Sequence, residues 1–320
     1  MTGNNQGEVD GHIGRNSTLG MVSLAFTLAT WSFGPALSSK VLTHPLVSST
    51  FRMTVAALFH WLLAIVLRKR PSGDLLKRSL LPGALFCLNN VLFFAALQRS
   101  SVANTTLLVS LQPVVVLLLA KPLFGEVVKR WDVIWTSVAL IGAAYAILGA
   151  NAAGKAKRTT PMGAAFALAA MFVFTGYFLI SKRENSHHER ESPNPLTFMT
   201  AILTASAIAS WPVLIIGGKL HEALHLTHRQ ASPLLLVAFV PSLGHLSMTF
   251  AHRHVDASLS SLILLAQPIT SALAAWWLLS QRVVAAQIIG GIVVVGCIAM
   301  VTLGRRRAST DATAGKLQPA

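Results

Sequence analysis

Few side chains in this 320-residue sequence combine the residue type and the spacing that chemistry requires. His221-Glu222-Ala223-Leu224-His225 has the H-E-x-x-H pattern. On a helix that pattern sets two imidazoles on one face as zinc ligands, with the glutamate as general base. His228 follows closely enough to be a third ligand, so a membrane metalloprotease is one reading. The other candidates are neutral: Gln112-Pro113, Gln267-Pro268, Asn89-Asn90 and His245, each set inside a long apolar run. If those runs cross a bilayer, such polar groups cost free energy unless they pair or line water, which makes them candidates for a binding site.

Composition says that the runs do cross a bilayer. Hydrophobic residues make up 53% and charged residues only 12%, about half the charged share usual for a soluble domain. Apolar stretches of about 20 residues predict ten transmembrane helices, over 18–39, 45–67, 80–98, 102–124, 132–150, 162–182, 195–217, 231–251, 255–279 and 283–303. The polar residues 1–17 and the basic tail 305–320 read as disordered. The N-terminus lacks the short basic lead of a secretory signal, so the first span is expected to be retained. The net charge of +15 comes mostly from short clusters between spans, such as Arg68-Lys69-Arg70, Lys77-Arg78 and Arg305-Arg306-Arg307. These are topology determinants and contacts for membrane lipids rather than a nucleic-acid surface. With both termini cytoplasmic, that side collects roughly twice as many Lys and Arg as the other, although Lys155, Lys157 and Arg158 oppose the rule. Cys87 and Cys297 lie deep in apolar spans and read as small packing residues, not as a disulfide or zinc pair.

The sequence is also duplicated. Residues 101–149 align without gaps on 256–304, twelve of the 49 positions being identical, and Gln112-Pro113 falls on Gln267-Pro268. At the same offset Asn89-Asn90 falls on Gly244-His245. Pro45-Leu46, Thr50 and Trp61 fall on Pro195-Leu196, Thr200 and Trp211, Gly34 on Gly176, and Ser39-Lys40 on Ser181-Lys182. The two repeats, 18–150 and 162–304, are joined by a linker at 151–161. Five spans in each is an odd number, so consecutive copies must sit in the membrane with opposite orientation. The predicted fold is therefore an all-α membrane protein of two inverted five-helix repeats, the architecture of secondary transporters.

Trp31 followed by Lys40, Pro45 then Arg52, Pro113, Gly125-Glu126 closing the fourth span and Gly142 in the fifth follow a familiar order. In that order the chain resembles the drug/metabolite transporter superfamily, specifically its ten-helix EamA-type branch, over about residues 18 to 304. The second half departs from the pattern at Ser280-Gln281, where the first has Gly-Glu, and at Ile202, which stands opposite Arg52. The resemblance implies export or exchange of small metabolites, often amino acids, through a cavity between the halves.

Prolines at equivalent places in two repeats point to a transporter's binding site. Gln112 and Gln267, with Pro113 and Pro268 as helix-kink residues, are thus the first site candidates; the competing role is a packing device in which Gln bonds carbonyls freed by the kink. Asn89, Asn90 and His245 form a second polar layer. Of the aromatics Trp31, Phe93, Phe94, Tyr177 and Trp276, Trp31 and Tyr177 are preferred as cavity walls. Thr105, Thr106, Ser260 and Ser261 read as helix packing. No Asp or Glu falls in the middle of any span, which argues against a cationic-drug/proton mechanism and leaves a neutral, zwitterionic or anionic solute. Arg52 and Lys121 could attract an anionic group, or snorkel toward a membrane surface. His252-Arg253-His254 beside Asp256 reads as a loop cluster, with a pH-sensitive gate conceivable. The expected function is alternating-access transport of a small polar metabolite, an amino acid or a related compound, across the cytoplasmic membrane. Another solute class (sugar, nucleoside or organic anion), a non-transporting scaffold and the metalloprotease are the alternatives. The transport reading requires no cofactor, no resident metal and no enzymatic activity; the small-molecule substrate and lipids are its partners, and a homodimer is left open. No G-x-x-x-x-G-K-[ST] loop occurs, so ATP is not the direct energy source.

Overall fold

The structure, a computed structural model, describes residues 4–38, 41, 43–100, 102–125, 128–152, 160–186, 193–279 and 284–316. Every element among them is helical. The first half contains α1 (Asn4–Ser38), α2 (Pro45–Val66), α3 (Gly73–Arg78), α4 (Leu80–Arg99), α5 (Val102–Val109), α6 (Gln112–Phe124) and α7 (Arg130–Ala152). The second contains α8 (Pro161–Ser186), α9 (Pro195–Ile216), α10 (Leu220–Leu224), α11 (His228–Ala251), α12 (Ala257–Leu264), α13 (Gln267–Leu279) and α14 (Ala285–Lys316). Each predicted span falls on one helix or on a broken pair.

Among the described residues, seven stretches are long and apolar enough to cross a bilayer: Thr18–Ser38 of α1, α2, α4, most of α8, α9, α11, and Ala257–Leu278 across α12 and α13. Gln112–Phe124 and Ala285–Val301 are shorter apolar helices. Large apolar side chains such as Leu62, Leu118, Ile216, Trp277 and Ile292 lie exposed on the outside, a surface suited to lipid rather than water. Two expectations change at the ends. The polar termini continue α1 back to Asn4 and α14 on to Lys316 as helix, because extending an existing helix avoids the unfavourable nucleation step. Lys40, Glu126, Lys155, Lys157, Arg158, Arg190, Ser280, Gln281 and Arg282 lie outside the described residues.

The duplication reappears as a pseudo-two-fold exchange of contacts. Trp61 Nε1 donates to Thr204 Oγ1 (2.8 Å), and its counterpart Trp211 Nε1 donates to Thr54 Oγ1 (3.2 Å). Thr50 Oγ1 donates to the Ser210 carbonyl and Thr200 Oγ1 to the His60 carbonyl. In these pairs residue numbers rise along α2 as they fall along α9, so the corresponding helices of the two repeats run antiparallel. The caps match as well: His44 and Asn194 precede Pro45 and Pro195, and each side chain accepts from the backbone N–H two residues on.

Packing follows the same exchange. α1 packs on α11 and α8 on α4; α4 lies on α9 and α11 on α2; α3 touches α9 and α10 touches α2. α7 and α14, counterparts of one another, also pack together, and this contact is tight. A Cβ added at Gly290 would lie 2.3 Å from the Gly142 carbonyl oxygen and 2.7 Å from Ala146 Cβ. Only glycine allows this approach, the device by which membrane helices gain van der Waals contact in place of a hydrophobic drive.

Candidate functional site

The fourth and ninth spans are broken rather than kinked. α5 ends at Val109 and α6 starts at Gln112; α12 ends at Leu264 and α13 starts at Gln267. Proline in a first helical turn loses nothing, since its missing N–H would have had no intrahelical partner there. Pro113 and Pro268 therefore start new helices. Tight i to i−3 bonds close both breaks at equivalent positions: Leu111 N–H to Leu108 O and Val114 N–H to Leu111 O, against Ala266 to Ile263 and Ile269 to Ala266. α6 packs on α12 and α5 on α13, which brings the two breaks together.

A cavity of about 110 Å³ lies where they meet. That is room for several waters, since one needs roughly 10–15 Å³. Gln112, Pro113, Gln267 and Pro268 line it, with Thr106 and Val109 before the first break and Ser110 within it, and Ser261 and Leu264 before the second and Leu265 within it. α4 contributes Phe86, Asn89, Asn90 and Phe93; α1 contributes Trp31, Gly34, Pro35 and Ser38. Arg52, Phe174, Val237, Pro241 and His245 complete the wall. Thus Trp31, Asn89, Asn90, Gln112, His245 and Gln267 face one space, although they come from both repeats.

Tyr177 does not line the cavity. It is buried behind the wall, its hydroxyl 3.9 Å from Met199 Sδ and its ring against Phe86 and Phe174. Phe174, nearly one turn earlier on the same helix face, takes the lining position instead, and its ring meets Trp31 edge-on at 5.8 Å. The repeat could have identified it: with Gly34 set on Gly176, Trp31 falls on Val173, the residue next to Phe174. Phe93 lines the cavity, whereas Phe94 packs in an apolar cluster with Leu37 and Val237, and Trp276 is exposed on the outer face. Thr106 and Ser261 belong to the lining rather than to packing alone. Lys121 is exposed in the last turn of α6, where its charge suits the negative helix end. Gly125 closes that helix with φ +65°, a left-handed conformation that glycine adopts without steric cost.

The polar groups of the cavity are unequally partnered. Arg52 donates from Nη1 to Asn90 Oδ1, and Asn90 Nδ2 donates back to the Phe86 carbonyl at 2.7 Å. Asn89 Nδ2 donates to the Ala170 carbonyl of α8. Gln267 Nε2 reaches the Trp31 carbonyl at 3.4 Å, while the buried Nε2 of Gln112 has no hydrogen-bond partner. His245 sits between the Trp31 and Phe86 rings, at 4.4 and 4.6 Å, and its Nδ1 is also unpartnered. Trp31 is held in place by its indole N–H, which donates to the Pro241 carbonyl.

The H-E-x-x-H segment is differently employed. Glu222 Oε1 accepts the His44 backbone N–H at 2.8 Å, which docks the one-turn α10 against the start of α2. His225 Nδ1 lies 2.9 Å from the His221 carbonyl. No cluster of three metal-ligating side chains occurs among the described residues. The glutamate that would act as base is thus engaged in a structural contact. In the loop after α11, Lys182 Nζ donates to the carbonyls of His252 and Val255, both at 2.6 Å. Burial, and then the Lys182 charge, holds the buried His252 imidazole well below its usual range.

Antiparallel repeats, an apolar exterior and a cavity of mixed polar and aromatic lining where broken helices meet define a multi-pass membrane protein built for small solutes. The EamA-like transporter family model matches residues 18–148 and 161–303, and the chain belongs to that family, within the drug/metabolite transporter superfamily. The fold is similar to that of a solved protein crystal structure at TM-score 0.73 and 18% identity, covering 92% of this chain and 99% of that one. No curated protein matches the sequence.

Proposed function

We propose that the chain is a ten-helix secondary transporter of the cytoplasmic membrane, with both termini cytoplasmic, that moves a small polar metabolite by alternating access. The fifth span is then α7, the fourth and ninth are the broken pairs, and the tenth is the apolar part of α14. An amino acid or a related compound is the first substrate class, exported or exchanged. The observation that carries this reading is the cavity itself: two helix breaks at equivalent places in inverted repeats converge on it. Breaks of this kind expose backbone groups only where they line a cavity, which is how transporters build sites at mid-membrane. A solute gradient or exchange supplies the energy.

Counterflow in liposomes containing the purified protein tests the proposal. Labelled neutral and aromatic amino acids are offered against an excess of the same compound inside. Saturable accumulation above protein-free liposomes is the expected result; its absence across amino acids, sugars, nucleosides and organic anions, with folded protein, would overturn the transport reading. A reporter fused after Ala320 should be active in its cytoplasmic form, and a periplasmic signal would refute the orientation.

A further inference from the structure

Two buried side chains of the cavity lining, Arg52 of α2 and Gln112 of α6, carry hydrogen-bond donors that the protein leaves without partners. The Arg52 side chain is only 9% exposed and Gln112 only 5%. Arg52 carries five N–H donors, yet its one side-chain hydrogen bond goes to the neutral amide of Asn90. Asn90 is itself fixed by its bond to the Phe86 carbonyl, so it orients the guanidinium without neutralising it. Gln112 presents an unpartnered Nε2 from the first residue of the 13-residue α6, whose N-terminal end carries partial positive charge. Among the described residues, none of those lining the cavity is Asp or Glu. The ion pairs of Arg78 with Asp74 and Glu184 lie elsewhere. A buried cation left without a counter-charge is strongly unfavourable, and removing it from water is repaid only by a well-placed anion.

We propose that the cargo supplies this anion: a small monocarboxylate whose oxygens dock on the Arg52 guanidinium and the Gln112 amide. Its apolar body lies against Trp31, Phe86 and Phe174. This deepens the transporter reading and rests on it. A single guanidinium balances one negative charge, which favours a carboxylate over a phosphate dianion, and its planar fork matches carboxylate geometry. An ammonium group finds no Asp or Glu among the described lining residues to pair with. At the position related to Arg52 by the repeat stands the fully buried Ile202. The anion subsite is therefore confined to one side of a pseudo-symmetric cavity.

The test is direct binding to the purified full-length protein, with a series that changes charge at nearly constant shape: 3-phenyllactate, phenylalanine and phenylalaninamide, with inorganic phosphate as a fourth probe. Phenyllactate should bind at least as tightly as phenylalanine, and the amide about ten-fold or more weakly. Arg52→Gln should erase the preference for acid over amide. Arg52→Lys, which keeps the charge but loses the fork, should weaken phenyllactate while retaining some preference. Equal binding of acid and amide by the wild-type protein, binding of none of the three, or displacement of phenyllactate by phosphate at comparable concentration would each overturn the proposal. So would an acid preference that survives in folded Arg52→Gln. If Arg52→Gln does not fold, the wild-type acid-to-amide ratio decides alone. Acid-selective binding without counterflow would leave the subsite standing and remove the transport reading instead.

Discussion

Gln112 separates a binding role from a packing role because the two predict opposite changes in stability. Its Nε2 is buried and unpartnered, and a buried donor left unsatisfied costs about 1–3 kcal/mol. Gln112→Leu has nearly the same volume, keeps Pro113 at the start of α6 and removes that cost. The variant should therefore be as stable as the wild-type protein or up to about 1–3 kcal/mol more so. Its affinity for the transported carboxylate should fall by roughly 10- to 150-fold, the worth of one hydrogen bond to a charged group of about 1.5–3 kcal/mol. Thermal unfolding of the detergent-purified protein and a binding isotherm on the same preparation give both numbers. A packing role, with the amide bonding carbonyls freed at the break, requires the reverse: lower stability and unchanged affinity. That result would refute the argument, since a functional group kept at a cost in stability is what a site residue should be. Gln267 is the internal comparison. Its amide reaches the Trp31 carbonyl, so Gln267→Leu should lose a little of both.

Other outcomes test the frame and the rejected chemistry. Gly290→Ala must force α7 and α14 apart and should cost about 1–3 kcal/mol, whereas Gly296→Ala on the same helix, with open space around it, should be neutral or stabilising; equal unfolding temperatures would deny the close approach. Trp61→Phe and Trp211→Phe should each cost about 0.6–1 kcal/mol, and a large effect from one with none from the other would contradict the reciprocal interface. Since His252 is held below its usual value of 6.5, the unfolded chain takes up a proton near that pH while the folded one does not. Stability should then be level above about pH 6.5 and decline below it, more shallowly in His252→Gln; identical pH profiles for the two proteins would remove this residue from the account. Metal analysis should find no stoichiometric zinc that depends on His221 and His225, and one equivalent lost in the double alanine variant would revive the metalloprotease.

Helix positions were legible because apolar runs of bilayer length are hard to mistake, and the duplication was legible because Gln-Pro, Pro-Leu and Trp recur at fixed offsets. Which face of each helix looks inward was much harder to read. A membrane protein is as apolar outside as inside, so Phe86, Phe174 and Pro241 on the cavity wall look no different in sequence from Leu62 or Leu118 on the lipid side. Polar residues escape that ambiguity, which is why Asn89, Asn90, Gln112, His245 and Gln267 all fall on the cavity wall, whereas Tyr177, chosen among aromatics, lies behind it. Arg52 was ambiguous for a different reason: a long basic side chain can reach a membrane surface from within a span, and only the fold shows it bonded to Asn90 on the cavity wall. The breaks at 110–111 and 265–266 were foreshadowed by the prolines, but not that each proline would begin a separate helix.

The exchanged packing of α1 on α11 and α8 on α4 has a consequence for how the chain can be divided. Cutting between Ala152 and Thr160 would separate the copies in sequence, yet each fragment would carry helices whose partners are on the other. Neither fragment should be self-sufficient, and the two should complement one another when made together. A chain holding a single copy could complete its packing only by embracing a second molecule inserted upside down, so dual insertion is the condition under which half of this protein could stand alone.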